Sequence, residues 1–134
     1  MEIRLEGGDR VSARWSGTTV TTDQDGSSPA PFELFLASLG TCAGFYVARF
    51  CHRRGIPATG VHIEQHVALD AATHVVSRID IDIHLPDDFP SQYRDAVLRA
   101  AGQCVVKKHL EHPPEVAIAV KSKRHPLLRC QVKT

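Results

Sequence analysis

The chain lacks the local signatures of the common metal and cofactor enzymes. No Cys-x-x-Cys and no His-Glu-x-x-His occurs, although eight histidines are present. His62 and His66 are four apart on a strand-like segment, which sets them about 13 Å apart. His109 and His112 fall at the end of a helical segment, before Pro113-Pro114. No metal site is expected. There is no Gly-x-Ser-x-Gly, no phosphate loop and no dinucleotide fingerprint, so no cofactor is expected either.

Charge of one sign is scarce as well. The formal net charge is +1, and the one basic cluster is Lys121, Lys123 and Arg124, read as a solvated strand end. No nucleic-acid partner is expected. The longest uncharged apolar stretch, Leu34 to Ala48, is short for a bilayer and reads as a core helix, so no membrane partner is expected. Met1-Glu2-Ile3-Arg4 carries no apolar signal region, and the expected location is the cytoplasm, where thiols stay reduced and disulfides are transient.

With 134 residues, 43% of them apolar and 23% charged, the chain is expected to be one globular domain, residues 1–134. Val11, Ala13 and Trp15 alternate with polar residues, Gly17 marks a turn, and Thr18 to Thr22 is β-branched. Asp25-Gly26-Ser27-Ser28-Pro29 is a loop. Phe32 to Arg53 reads as a helix apolar almost all round, opened by Pro31 and ended by Arg53-Arg54-Gly55. Val61 to Leu69 and Ile79 to Leu85 alternate as half-buried strands. Ser91 is expected to cap one helix running to about Leu110. Val116 to Val120 and, as an edge strand, Leu127 to Val132 follow. Blocks of strands separated by helices indicate an α+β fold with antiparallel sheets.

Four cysteines remain to be explained. Cys42 and Cys104 sit inside the two helical segments, and thiols on packed helices suggest a redox pair. Lys107 and Lys108, three and four positions after Cys104, are within same-face reach and would favour a thiolate there. Cys42 has no charged residue within six positions, so its activation must come from elsewhere in the fold. Cys51 lies about 180° round the helix from Cys42. Cys51 and Cys130 read as inert residues.

The segment from Gly26 to Cys42, with Pro29, Pro31, Glu33, Gly40 and a cysteine nine residues after the glutamate, resembles the first motif of the OsmC/Ohr family. These are the osmotically inducible protein C and organic hydroperoxide resistance proteins. Ala101-Gly-Gln-Cys104-Val-Val-Lys-Lys-His-Leu110, followed by Val116 to Lys121, resembles the second motif. Ser12-Ala-Arg-Trp15-Ser-Gly17 resembles the family's first strand. The resemblance covers nearly the whole chain. It implies an intertwined homodimer in which antiparallel sheets enclose two main helices. It also implies thiol-dependent reduction of organic hydroperoxides without metal or flavin. Cys42 would be the peroxidatic thiolate, Cys104 the resolving thiol, and an external dithiol, such as a protein-bound lipoyl group, the reductant.

Glu33 would pair with an arginine that steadies the thiolate. Gly17 to Thr22 has no arginine where the family's peroxidases carry it, leaving Arg14 (or Arg10) as the candidate. Val105 also replaces the proline that usually follows the second cysteine. Glu33 has a second reading as a helix N-terminal charge contributing about 0.3–1 kcal/mol. On a regular helix Glu33 and Cys42 face opposite ways, so a shared site needs a bend, with Gly40 the expected place. Phe35, Phe45 and Tyr46 are candidate substrate walls. The alternative to a peroxidase is a non-catalytic dimer of the same fold that binds a small ligand, or one in which the cysteines only pack.

Overall fold

A computed structural model describes residues 1–122 and 125–131; the side chains of β7 and of Ser122 lie outside the described residues. The order is β1 (Glu2–Gly7), β2 (Arg10–Trp15), β3 (Thr18–Thr22), α1 (Pro31–Arg53), β4 (His62–Leu69) and β5 (Val76–His84). A 3-10 turn (Ser91–Tyr93), α2 (Arg94–Ala101), α3 (Val105–Glu111), β6 (Ala117–Ser122) and β7 (His125–Gln131) complete it. The fold is α+β. Three antiparallel units form: β1-β2-β3, β4-β5 and β6-β7. Ser16 and Gly17, with φ of 45° and 78°, make the β2–β3 hairpin turn, a conformation that favours glycine at its second position.

The long helix starts where proline is tolerated and ends with His52 and Arg53 in its last turn. Its 23 residues are long and apolar enough to cross a bilayer by length and composition. Only Leu39, Ala43, Val47, Phe50 and Cys51 are buried. They fall on the stripe that meets the β4–β5 ribbon and α2. One cluster joins Val47, Phe50 and Cys51 to Phe89 and Val97, with Ile63 and Ile83 packed against it. A second joins Leu39 and Ala43 to Cys104, with Ile79 and Ile81 packed against it. Ile63, Ile79, Ile81 and Ile83 are the inward face that strand alternation predicts.

The glycines in α1 let β4 approach. A Cβ on Gly40 would stand 2.9 Å from Gln65 Oε1, and one on Gly44 3.6 Å from Ile63 Cδ1. No break occurs at Gly40, because α1 is continuous from Pro31 to Arg53.

The second helix departs from expectation. Ser91 opens a 3-10 turn rather than capping an α-helix, and the span to Leu110 is two helices rather than one. α2 tightens at its end, with Gln103 N–H donating to Ala100 O and Cys104 N–H to Ala101 O, both at 3.0 Å. Cys104 then turns extended, with ψ of 118°, and its sulfur accepts from Lys107 N–H at 3.3 Å. Cys104 is therefore the N-cap of α3 rather than a mid-helix residue. A short-range cap competes with helix continuation, and periodicity alone does not reveal it.

Candidate thiol-pair site

The break at Cys104 has a chemical consequence. In a continuous helix, the N–H groups of Val105 and Val106 would be spent on carbonyls four residues back. At the start of a new helix they are free. The fold directs both at Cys42, which sits on α1 and packs against the cluster containing Cys104.

The two thiols lie within hydrogen-bonding reach of each other and are shifted in opposite directions. Burial pushes the Cys42 thiol up. Hydrogen bonds from the Cys104 thiol and from Val106 and Val105 N–H outweigh it, holding Cys42 below the ordinary thiol range. Burial pushes Cys104 up, and the neighbouring Cys42 pushes it further, against the pull of Lys107 N–H. Cys104 is 1% exposed, and its sulfur also lies 3.8 Å from Leu39 O, so its single proton has two acceptors within reach. The arrangement favours one thiolate, at half-buried Cys42, beside one thiol that stays protonated. All three described cysteines are free.

The lysines do not supply the activation expected of them. Lys107 Nζ pairs with Glu111, and Lys108 Nζ donates to Gln103 Oε1 at 2.8 Å. The thiolate is favoured at Cys42, not at Cys104. For Cys42 the expectation that activation comes from elsewhere in the fold is met by backbone donors that no nearby charge announces. Val105 and Val106 were not among the sequence candidates. The signal that could have found them is Gly102, a poor helix former two residues before a residue able to cap.

Glu33 and Arg14 stand apart from this pair. Glu33 Oε2 accepts from Ala30 N–H at 2.8 Å, serving the helix start, its second reading. Arg14 Nη2 lies 3.5 Å from Glu6 Oε1, on the N-terminal sheet, and Arg10 pairs with Asp23. The structure brings neither arginine to Glu33 or Cys42 through any described ion pair. Cys51 is 0% exposed in the other core cluster, and burial pushes its thiol up. Cys130 belongs to β7, whose side chains lie outside the described residues.

An apolar cleft of about 840 Å³ runs between α1, β5 and the α2–α3 corner. Phe32, Phe35, Ile79, Leu98 and Leu110 line it, and Cys104 lies in its wall; Arg78, Asp80 and Lys107 give it three charged groups. Phe35 is thus a wall residue. Phe45 and Tyr46 are not; they pack edge-to-face on each other with ring centroids 5.4 Å apart, and Phe45 is 58% exposed. Phe45 lies ten positions, nearly three turns, beyond Phe35, and the α1 wall of the cleft ends at Ala43.

Residues 24–119 match the family described as OsmC-like protein. No curated protein matches the chain. Among solved structures, a Psychrobacter arcticus 273-4 osmotic stress induced and detoxification response protein is similar, with a TM-score of 0.67 and 21% identity. That match covers 80% of this chain and 84% of the other. A hypothetical protein of Aquifex aeolicus VF5 has a TM-score of 0.63 and 16% identity, covering 84% and 86%. An OsmC-like hydroperoxide resistance protein of Jannaschia sp. CCS1 has a TM-score of 0.59 and 21% identity, covering 90% and 87%. The family match spans well over half the sequence, the backbone follows these structures, and the chain belongs to the OsmC-like protein family.

Proposed function

We propose that the protein is a thiol-dependent reductase of organic hydroperoxides. The observation that carries this reading is the Cys42–Cys104 pair, one thiol eased toward its anion and the other held protonated beside it. The Cys42 thiolate attacks the distal oxygen of the hydroperoxide. The O–O bond breaks, the alkoxide leaves as an alcohol after taking a proton, and Cys42 becomes a sulfenic acid. The Cys104 sulfur then attacks the Cys42 sulfur, water leaves, and a disulfide forms. An external dithiol, for which a lipoyl group is the leading candidate, reduces it in a second half-reaction. No metal or flavin enters this scheme. The apolar cleft beside Cys104 suits a hydrophobic peroxide better than hydrogen peroxide. The Jannaschia relative, named a hydroperoxide resistance protein, supports the same reading.

The working form in this reading is a cytoplasmic homodimer of single-domain subunits. The accessible surface is 10611 Å² for 14.7 kDa, where a compact monomer of that mass exposes about 6,900 Å². Ile3, Leu5, Phe45, Leu69, Ile118 and Val120 are each more than half exposed. Such apolar surface marks an association face. The two-stranded β6–β7 unit is also marginal by itself.

The test is a thiol count on the reduced protein before and after one equivalent of cumene hydroperoxide. Wild type should lose two of its four thiols rapidly, Cys104→Ser one, and Cys42→Ser none. Four thiols persisting through excess peroxide would leave the fold without this chemistry.

A further inference from the structure

The outward face of the β4–β5 ribbon carries three histidines and three carboxylates. The register places His62 opposite His84, Glu64 opposite Asp82 and His66 opposite Asp80. Like charges directly opposite on a sheet destabilise it unless positive charge lies between them. Glu64 and Asp82 form such a pair, with imidazoles around it.

The His62 and His84 rings stack, with centroids 4.5 Å apart and planes within 5°. Glu64 Oε1 lies 3.7 Å from His62 Nε2, and Glu64 Oε2 lies 3.4 Å from His84 Nε2. One ligand atom from each of the three residues falls within 4.8 Å of the other two. His66 Nε2 reaches the same carboxylate at 3.8 Å and Asp82 Oδ2 at 3.6 Å. Strand spacing keeps His62 and His66 apart along β4 but does not separate His62 from His84, which stands opposite it on β5. Side chains of His62 and His66 both lean to Glu64, and the other imidazole comes from the neighbouring strand.

We propose that His62 Nε2, His84 Nε2 and the Glu64 carboxylate form a binding site for a divalent transition-metal ion of the zinc type. Two imidazoles with one carboxylate suit zinc, nickel or copper, whereas magnesium and calcium take oxygen ligands. With bonds of about 2.0–2.1 Å, a tetrahedral edge is about 3.3–3.4 Å, close to both histidine–glutamate distances. The remaining adjustment is a tilt of the two imidazoles toward each other. All three side chains are exposed and free to make it, and water can complete the coordination.

The site would staple the open end of the ribbon. Its far end is already tied by Asp70 Oδ1, which accepts from Ala72 N–H at 3.1 Å and Thr73 N–H at 2.8 Å. The inner face of the same ribbon holds Ile79 and Ile81 against Leu39, Ala43 and Cys104. An ion there would therefore stiffen one wall of the apolar cleft. The inference does not depend on peroxidase activity.

The test uses untagged protein stripped with chelator, as wild type and in a Cys42→Ser/Cys104→Ser background that removes the competing thiol pair. Zn²⁺ is titrated calorimetrically and Co²⁺ by its visible absorption. One equivalent should bind saturably in both forms, without the near-ultraviolet charge-transfer band of thiolate ligation in the serine background. His62→Ala and His84→Ala should each weaken binding by more than about tenfold. In the serine background Zn²⁺ should raise the melting temperature, and either alanine change should abolish the rise. Circular dichroism checks that these surface variants remain folded. Absence of saturable binding up to millimolar Zn²⁺ would overturn the proposal. So would affinity unchanged in both histidine variants, or binding that disappears with the two cysteines.

Discussion

Replacing Cys104 with alanine tests the electrostatics of the site rather than its overall chemistry. The change deletes the S–H donor that faces Cys42 and leaves Val105 and Val106 N–H in place. A hydrogen bond to a charged acceptor contributes about 1.5–3 kcal/mol, and the lower end applies to a half-buried group with water as a substitute partner. That lower figure corresponds to about a tenfold drop in the thiolate fraction of Cys42 at neutral pH. Losing the sulfur also admits water, which eases desolvation and works in the opposite direction. Burial is the largest influence on Cys42, but Leu39 and Ala43 stay in place in the variant, so the relief from losing one sulfur is the smaller effect. The midpoint of Cys42 ionisation therefore moves up. The assay is the rate of iodoacetamide alkylation of Cys42 against pH, with the modified residue identified by peptide mass mapping. Cys51 is fully buried and should stay silent in the native protein. Cys104→Ser, which keeps a shorter hydroxyl donor, should fall between wild type and Cys104→Ala. A midpoint that stays fixed or moves down in Cys104→Ala would refute the donor role of Cys104. The thiolate would then rest on the α3 backbone alone.

Gly44→Ala should stabilise the protein by about 1 kcal/mol and raise the melting temperature by about 3–5 °C, because its Cβ would meet only Ile63 Cδ1 at 3.6 Å. Gly40→Ala should gain less by the same thermal scan, since the Gln65 side chain must move aside. The raised thiol of Cys51 ionises less readily folded than unfolded, so its contribution is intact below the ordinary thiol pKa and is lost as pH rises above about 8.5. Urea unfolding of Cys51→Ala at pH 7 and pH 10 should show a smaller alkaline loss than wild type. Arg14→Ala breaks only an exposed pair with Glu6, so stability should change by less than about 1 kcal/mol and the Cys42 alkylation profile should not move. A large fall in Cys42 reactivity would restore Arg14 to the site, brought there by a partner subunit.

The strands were the most legible part of the chain. Ile79, Ile81 and Ile83 alternate with Arg78, Asp80 and Asp82, and a period of two admits one reading when one face is buried. The long helix was legible from Pro31 to Arg53 because composition, cap and terminal charges agree. The second helix was misread because Val97, Ala100, Ala101, Cys104 and Val105 keep helical spacing across the break. Periodicity records which side chains share a face and is silent about where the hydrogen-bond ladder stops. Glu33 shows the reverse. Its spacing to Cys42 fits a family motif, while the geometry of a regular helix turns it away to cap Ala30.

The sequence by itself determined the fold class, the candidate cysteines and the absence of a local charge to activate Cys42. Those depend on residue type and on neighbours within a few positions. Only the tertiary structure decided that Cys42 meets Cys104 across 62 positions, that α3 restarts with its amide donors toward Cys42, and that His62 faces His84. These depend on register and on the packing of elements remote in sequence, where a shift of one residue in a strand or of one turn in a helix exchanges every contact.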